Sequence, residues 1–257
     1  ETVEEIAKQK DSLARGIEQE IEQINELVNM VYYKNIKEYD FADKNFSESL
    51  YQLAKEQKEY VYSIALYDLD GNSIWESEYA SGEIVKNETW FVQAKSNIET
   101  IYIGDKTLVC TDDVEHAFHV SRYIEYVDGG VMKSGILCIQ YYTKLVESKI
   151  DGFDNNKTEY CYLLDEKKNL IYHPFVQLLE SGLYEEKTLE CNLDGEEYLQ
   201  KTYEDTQWII EKQQIGYTGW DIVVVKSLAN ITEENVNMYY MMVLILLLAG
   251  VVLIFFD

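Results

Sequence analysis

The chain has 257 residues, 47% of them hydrophobic, and a single Pro, which excludes a disordered or fibrous protein and allows one large domain or two small ones. Its 47 Asp and Glu against 22 Lys and Arg give a net charge of −25, and so acidic a surface repels nucleic-acid phosphates and anionic lipid headgroups alike. Nucleic acid is therefore not an expected partner.

The first 39 residues contain no Pro and one Gly. Ile17, Ile21, Ile24, Val28 and Val31 step by four and three, which predicts one long leading helix with an apolar seam. The seam reads either as a parallel homodimer contact or as the stripe that packs on the chain's own sheets. The charge-rich early part, with Ile6 and Leu13, is expected to face a partner or the membrane. Phe46 to Lys58 predicts a second helix.

From Tyr60 the period changes to two. Tyr60 to Tyr67 and Ser73 to Tyr79 read as a hairpin whose turn, Asp68 to Asn72, uses Gly71 for a positive φ. Trp90 to Lys95 predicts a short helix with Asn87 as N-cap. Strands follow at Thr100 to Ile103, Ala117 to Val127 and Ser134 to Tyr142, the last two joined at Asp128-Gly129-Gly130, and a short helix closes the block by Ile150.

After a polar break at Asp151 to Glu159, EYCYLLDEKKNLIYH predicts a second strand–turn–strand unit. A helical or irregular stretch then leads to Cys191, and EYLQKTYE, QWIIEKQQI and GWDIVVV predict three more antiparallel strands. Met238 to Phe256 runs 19 residues without a charge, about 28 Å as a helix, and predicts a transmembrane span. Tyr239 and Tyr240 sit at its near end as an interfacial belt would. The acidic body lacks the Lys/Arg excess of cytoplasmic flanks, so residues 1–237 are expected outside the cytoplasm. The chain opens on Glu1, not Met, and reads as a piece of a longer protein.

The fold class expected is α+β: a long N-terminal helix, two PAS-like antiparallel-sheet modules at about 40–150 and 157–226, a linker helix at 227–237 and a C-terminal transmembrane helix at 238–256. The four cysteines, Cys110, Cys138, Cys161 and Cys191, contain no CxxC pair, which disfavours zinc or a redox centre. They are either paired as Cys110 with Cys138 and Cys161 with Cys191, or four buried thiols.

The phrases ALYDLDGNSIWES, TWFVQA, VSRYIEYVDGGVMKSGILCIQYYTKL, YCYLLDEKKNLIYHP and IGYTGWDIVVVKSLANI stand in one order behind the long helix. In that order the chain from Thr2 to Asn237 resembles the double Cache sensor domains held outside the membrane by bacterial receptor histidine kinases, chemoreceptors and cyclic-dinucleotide enzymes. The resemblance implies that the first, membrane-distal module holds a small-molecule ligand. The second, membrane-proximal module would pass the change through Ser227 to Asn237 into the span. Amino-acid-binding members carry an Arg two residues before a Trp-Tyr pair to grip the ligand carboxylate; here Glu88 replaces the Arg, Trp90 matches, and Phe91 stands for Tyr. Glu88 is then either a partner for a cation or amine or an acid near a helix N-terminus, and Trp90 either touches ligand or belongs to the core.

On the strand from Phe118 to Tyr126, alternation puts Phe118, Val120, Arg122, Ile124 and Tyr126 on one face, toward the long helix. His119, Ser121, Tyr123 and Glu125 take the other, and His119, Ser121 and Tyr123 are candidate pocket residues. Tyr67, Asp112 and Asp113 complete the expected set with Trp90 and Phe91. DDVEHAFH offers metal-capable groups, but an extended strand points His116 and His119 to opposite faces, so no metal is expected there. His173, before Pro174, reads as structural. No nucleophile elbow, GxxxxGK[ST] or HExxH occurs, so no enzymatic chemistry and no cofactor are expected. The rival reading is a membrane-anchored interaction or solute-capture protein. Against it, residues 227–237 contain no Gly or Pro, which favours a continuous transmitting helix over a flexible tether.

Overall fold

The computed structural model describes residues 2–77, 84–110, 114–150, 153, 155–156, 158–190, 198–203 and 206–228. Helix α1 (Thr2–Met30) continues through six π-helical residues, Val31–Ile36. In this segment the Lys37 amide donates to the Tyr32 carbonyl five residues back, at 2.8 Å. The seam Ile17, Ile21, Ile24, Val28 and Val31 is buried, as three–four spacing requires of a core stripe. The early turns depart from expectation. Ile6 is fully buried and Lys10 pairs with Glu211 at 3.1 Å. The charge-rich start of α1 thus lies on the chain's own second sheet.

Helix α2 (Lys44–Glu56) follows, with Asp43 as N-cap accepting from the Asn45 amide at 2.9 Å. Strands β1 (Val61–Asp68), β2 (Ser73–Glu76), β3 (Tyr102–Cys110), β4 (Val114–Asp128) and β5 (Val131–Tyr142) form an antiparallel sheet in the order β2-β1-β5-β4-β3. Helix α3 (Thr89–Ser96) precedes β3, and α4 (Lys144–Ile150) follows β5. Gly129 and Gly130, with φ of +59° and +78°, make the β4–β5 turn that only glycine-like residues enter without strain. Asp40 accepts from both their amides at 2.8 Å and so pins the chain after α1 to this turn.

The second sheet repeats the plan. Strands β6 (Glu159–Leu164), β7 (Leu170–Tyr172), β8 (Leu199–Tyr203), β9 (Thr206–Ile215) and β10 (Trp220–Ser227) stand in the order β7-β6-β10-β9-β8. Between β7 and β8 lie α5 (Val176–Glu180) and a 3-10 turn, Lys187–Glu190. The opening hairpins match bond for bond. Asp68 accepts from the amide and side chain of Asn72, both at 2.8 Å, and Asp165 does so from Asn169 at 2.8 and 2.9 Å. An Asp four residues before an Asn closes each turn on its own backbone.

One apolar core joins α1, the helix-facing side of the first sheet (Ile64, Leu66, Phe118, Val120, Ile124, Leu137, Ile139) and the second sheet (Ile209, Ile222, Val224). Trp220, fully buried at the start of β10, sits edge-on to Phe118 at 5.2 Å. Its indole N–H donates to the Ile103 carbonyl at 3.2 Å.

The structure also revises two expectations and decides one open alternative. β3 begins near the expected place but runs on to Cys110, because pairing with β4 through a bulge between Gly104 and Lys106 satisfies its backbone. Asn87 does not cap α3: the helix starts at Thr89, so Glu88 occupies the cap position. A Cys110–Cys138 bridge is excluded by register, since Cys110 pairs with Val114 and Cys138 with Ser121. Those positions lie about 23 Å apart along β4, far beyond a disulfide's reach. Cys138 and Cys161 are free, buried thiols. Cys191, Asp112, Asp113 and the predicted span Met238–Phe256 lie outside the described residues. Among the described residues no helix is long and apolar enough to cross a membrane.

Candidate ligand site

The face of the first sheet turned away from α1 is covered by α3. Trp90, Phe91 and Ala94 on one side of the helix pack with Val85 against Ala65, Tyr67, Ile136 and Cys138 of β1 and β5, with Tyr102 and Tyr123 at the margin. The alternation expected for β4 holds: Phe118, Val120, Ile124 and Tyr126 enter the α1 core, while Tyr123 and Ser121 meet α3. Arg122 turns toward α1, where it donates to the Asn29 side chain and lies 4.5 Å from the Tyr32 ring.

Trp90 is the centre of this layer. Its ring stacks on His119 at 5.3 Å and 7°, and meets Tyr67 at 5.5 Å and Phe91 edge-on at 5.9 Å. Its carbonyl accepts from the buried Ser121 hydroxyl at 3.0 Å, which ties α3 to β4. Of the expected site residues, Tyr67, Trp90, Phe91, His119, Ser121 and Tyr123 are thus brought together. Ser121 spends its proton on backbone rather than turning it outward.

The state of His119 follows from its partners. Nδ1 lies 2.7 Å from the Asp105 carbonyl, which can only accept, so Nδ1 carries the proton. Nε2, 2.9 Å from the Gln140 amide nitrogen, must then accept, and Gln140 in turn accepts from the Ser63 hydroxyl. Burial lowers the His119 pKa and favours this neutral form. Ser63, Gln140 and His119 are register partners across β1, β5 and β4, so a polar row crosses the sheet and ends on the β3 bulge. There Asp105 has a φ of +51°.

Burial raises the Tyr67 pKa, helped by Cys138 and Glu76, so its hydroxyl stays protonated. Glu76 pairs with Ala65 and brings a carboxylate to the same face. Glu88, exposed at the α3 N-cap, makes no side-chain cap bond. Sequence reasoning passed over Gln140, Ser63, Asp105 and Glu76. A detectable signal existed for one of them: Gln140 is the polar residue inside the apolar run Ile136–Tyr142.

His116 points elsewhere, pairing with Glu180 of α5 at 2.8 Å, and among the described residues no cluster could hold a metal ion. In the second sheet His173 is structural, as expected. Its Nδ1 accepts from the Phe175 amide at 3.0 Å and its Nε2–H donates to Glu186 at 3.0 Å. Glu186 also accepts from Tyr184 at 2.9 Å, Tyr160 at 3.2 Å, the Thr188 amide at 2.9 Å and the Thr188 hydroxyl. Burial alone would raise the Glu186 pKa, but these donors outweigh it and leave it lowered.

A family model described as a Cache domain, dCache_1, matches residues 1–234. The ligand-binding domain of the Pseudomonas aeruginosa PAO1 amino acid chemoreceptor PctC, solved with GABA, is 15% identical, with a TM-score of 0.66 over 88% of this chain and 100% of that one. The ligand-binding domain of the Pseudomonas fluorescens chemoreceptor CtaA with L-alanine is 13% identical, with a TM-score of 0.62 over 88% and 97%. The extracellular domain of the putative histidine kinase vpHK1S-Z8 is 13% identical, with a TM-score of 0.64 over 90% and 97%. No curated protein sequence matches the chain.

Proposed function

The chain belongs to the Cache domain family, and on that premise we propose that it is the extracytoplasmic small-molecule sensor region of a bacterial membrane signalling receptor. The first module, residues 40–150, is membrane-distal and holds the ligand between its sheet and α3. The second, residues 157–226, is membrane-proximal and passes the change through residues 227–237 to a transmembrane helix at 238–256. The protein works as a homodimer and carries no catalysis in this region.

One observation supports this reading above the rest: the aromatic layer around Trp90 is wired to the second sheet. His119, stacked on Trp90, bonds the Asp105 carbonyl, and the neighbouring Ile103 carbonyl bonds the Trp220 indole at the head of β10. The Asp105 carboxylate also faces Lys167 in the β6–β7 turn at 3.8 Å. A ligand that moves Trp90 therefore pulls on the strand leading to the membrane, provided it binds two arrangements unequally.

The relatives solved with GABA and L-alanine set the size of ligand to expect. Its class differs, because Glu88 stands where the amino-acid pattern has Arg. With Glu76 also on this face, the site favours an amine-bearing or neutral ligand over one held by its carboxylate.

The test is tryptophan-fluorescence melting of the whole chain in lipid nanodiscs against amines, amino acids, organic acids, nucleobases and sugars. A ligand of the folded state raises Tm in proportion to the logarithm of its excess over Kd. The expected result is a hit that Trp90→Ala abolishes while circular dichroism shows the variant folded. If no hit in any class is abolished by Trp90→Ala, a site under α3 is refuted. Unchanged hydrogen exchange in β10 on binding would instead favour an anchored capture protein.

A further inference from the structure

A second concave site lies away from the aromatic layer, where the two modules and α1 meet. It is a cleft of about 770 Å³, within the range of small-molecule sites. Its walls come from α1 (Asn25, Asn29), the C-terminal end of α3 and the connector into β3 (Gln93, Asn97), and the β9–β10 turn (Tyr217).

The lining selects its ligand by chemistry. Only Ile101 and Ile103 among the fourteen lining residues are aliphatic, so an apolar molecule gains little there. Anions are disfavoured because Glu99 and Glu166 line the cleft, while the one guanidinium, Arg122, is committed to Asn29 and the Tyr32 ring. A cation would use the carboxylates, but the Asn29 and Gln93 side-chain oxygens already accept from Arg122 and Asn97, so those two amides present N–H donors rather than acceptors to it. Four carboxamides and the rings of Tyr33 and Tyr217 match vicinal hydroxyl groups, each of which donates and accepts, and the flat face of a sugar ring.

An orphaned atom lies beside the cleft. Asn25 directs its amide nitrogen to the Tyr217 hydroxyl, and its Oδ1 is buried with no hydrogen-bond partner. Rotating the amide by half a turn would orphan the nitrogen instead, so one buried polar atom beside the cleft lacks a partner in either orientation.

We propose that this inter-module cleft is a second binding site, taking a neutral polyhydroxylated molecule of mono- or disaccharide size. Its occupant would touch both modules at once. It would also touch the C-terminal end of α3, the helix that carries Trp90, so the two sites share one helix.

The experiment is saturation-transfer NMR and calorimetric titration of the whole chain in nanodiscs with D-glucose, D-galactose, D-ribose and maltose, and with putrescine as the cationic comparison. At least one sugar should bind, and Tyr217→Ala and Asn97→Ala, both at exposed positions, should each weaken it about tenfold. Tyr51→Ala, an exposed tyrosine on α2 remote from the cleft, should leave binding unchanged. Binding of no sugar, binding of putrescine in preference to every sugar, or sugar binding indifferent to both cleft variants overturns the proposal. Because Trp90 is not a lining residue, sugar binding that survives Trp90→Ala separates this site from the one under α3.

Discussion

His119 gives the sharpest test of the polar row, because its two nitrogens can be replaced one at a time. In His119→Asn the side-chain amide nitrogen stands close to the former Nδ1 and can still donate to the Asp105 carbonyl, while the Gln140 bond is lost. In His119→Gln the terminal amide reaches the former Nε2 position, keeps Gln140 company and abandons Asp105. Each variant loses one part-buried bond, 2.9 Å to Gln140 or 2.7 Å to Asp105, worth about 1 kcal/mol. Each also loses the imidazole face stacked on Trp90 at 5.3 Å, worth about 1 kcal/mol more. Both should therefore cost about 2 kcal/mol in urea denaturation followed by tryptophan fluorescence. They should differ in communication: Asn keeps, and Gln loses, the ligand-dependent change in β10 hydrogen exchange. Equal stability to wild type in both, or equal coupling in both, would refute the row as a connection between Trp90 and the β3 bulge.

Other outcomes follow from the same geometry. Because the folded pKa of His119 is lowered from 6.5, the unfolded chain binds its proton first. Stability should therefore fall as pH drops below about 6.5, and the slope should shrink in His119→Asn when denaturation midpoints are compared across pH. Glu186, also lowered from its ordinary 4.5, contributes stability present above that value and lost as pH falls through the folded pKa. Glu186→Ala should cost about 3 kcal/mol by leaving buried donors unmet, whereas an effect under about 0.5 kcal/mol would mean the cluster is not closed. Gly135→Ala should destabilise severely, since its Cβ would come 2.4 Å from the Tyr67 carbonyl and force β1 from β5; a wild-type melting temperature would contradict that approach. Cys138 and Cys161 are buried, with burial pushing the Cys161 thiol up to about 12. Neither should react with a thiol reagent until the chain unfolds, and rapid native labelling of either would rule out the burial described.

The β4 members of the candidate site could be read from period, whereas Trp90 and Phe91 were pointed out by the family resemblance. Alternation along β4 separated Phe118 and Val120 from His119 and Ser121 correctly, because a strand's two faces are fixed by geometry as soon as one is known to be apolar. What period could not supply was what each side chain touches. Ser121, expected among the pocket residues, has its hydroxyl on the Trp90 carbonyl, a contact that alternation does not announce. Asp105 was invisible, since its role depends on a bulge that exists only through pairing with β4. The inter-module cleft draws on residues from 25 to 218, and nothing local to any of them announces it.

The sequence by itself determined the elements and their order: the three–four seam of α1, two hairpins closed by Asp and Asn four apart, and a twice-repeated run of strands. These are short-range matters of side-chain spacing, turn chemistry and β-alternation, which act within a few residues. Tertiary structure alone decided that the charged start of α1 lies on the second sheet, that Cys110 and Cys138 stay far apart, and that Trp220 reaches across to Ile103. Each of those turns on strand register and on the burial of one sheet against another. Such choices are settled by the free energy of the whole core rather than by any segment within it.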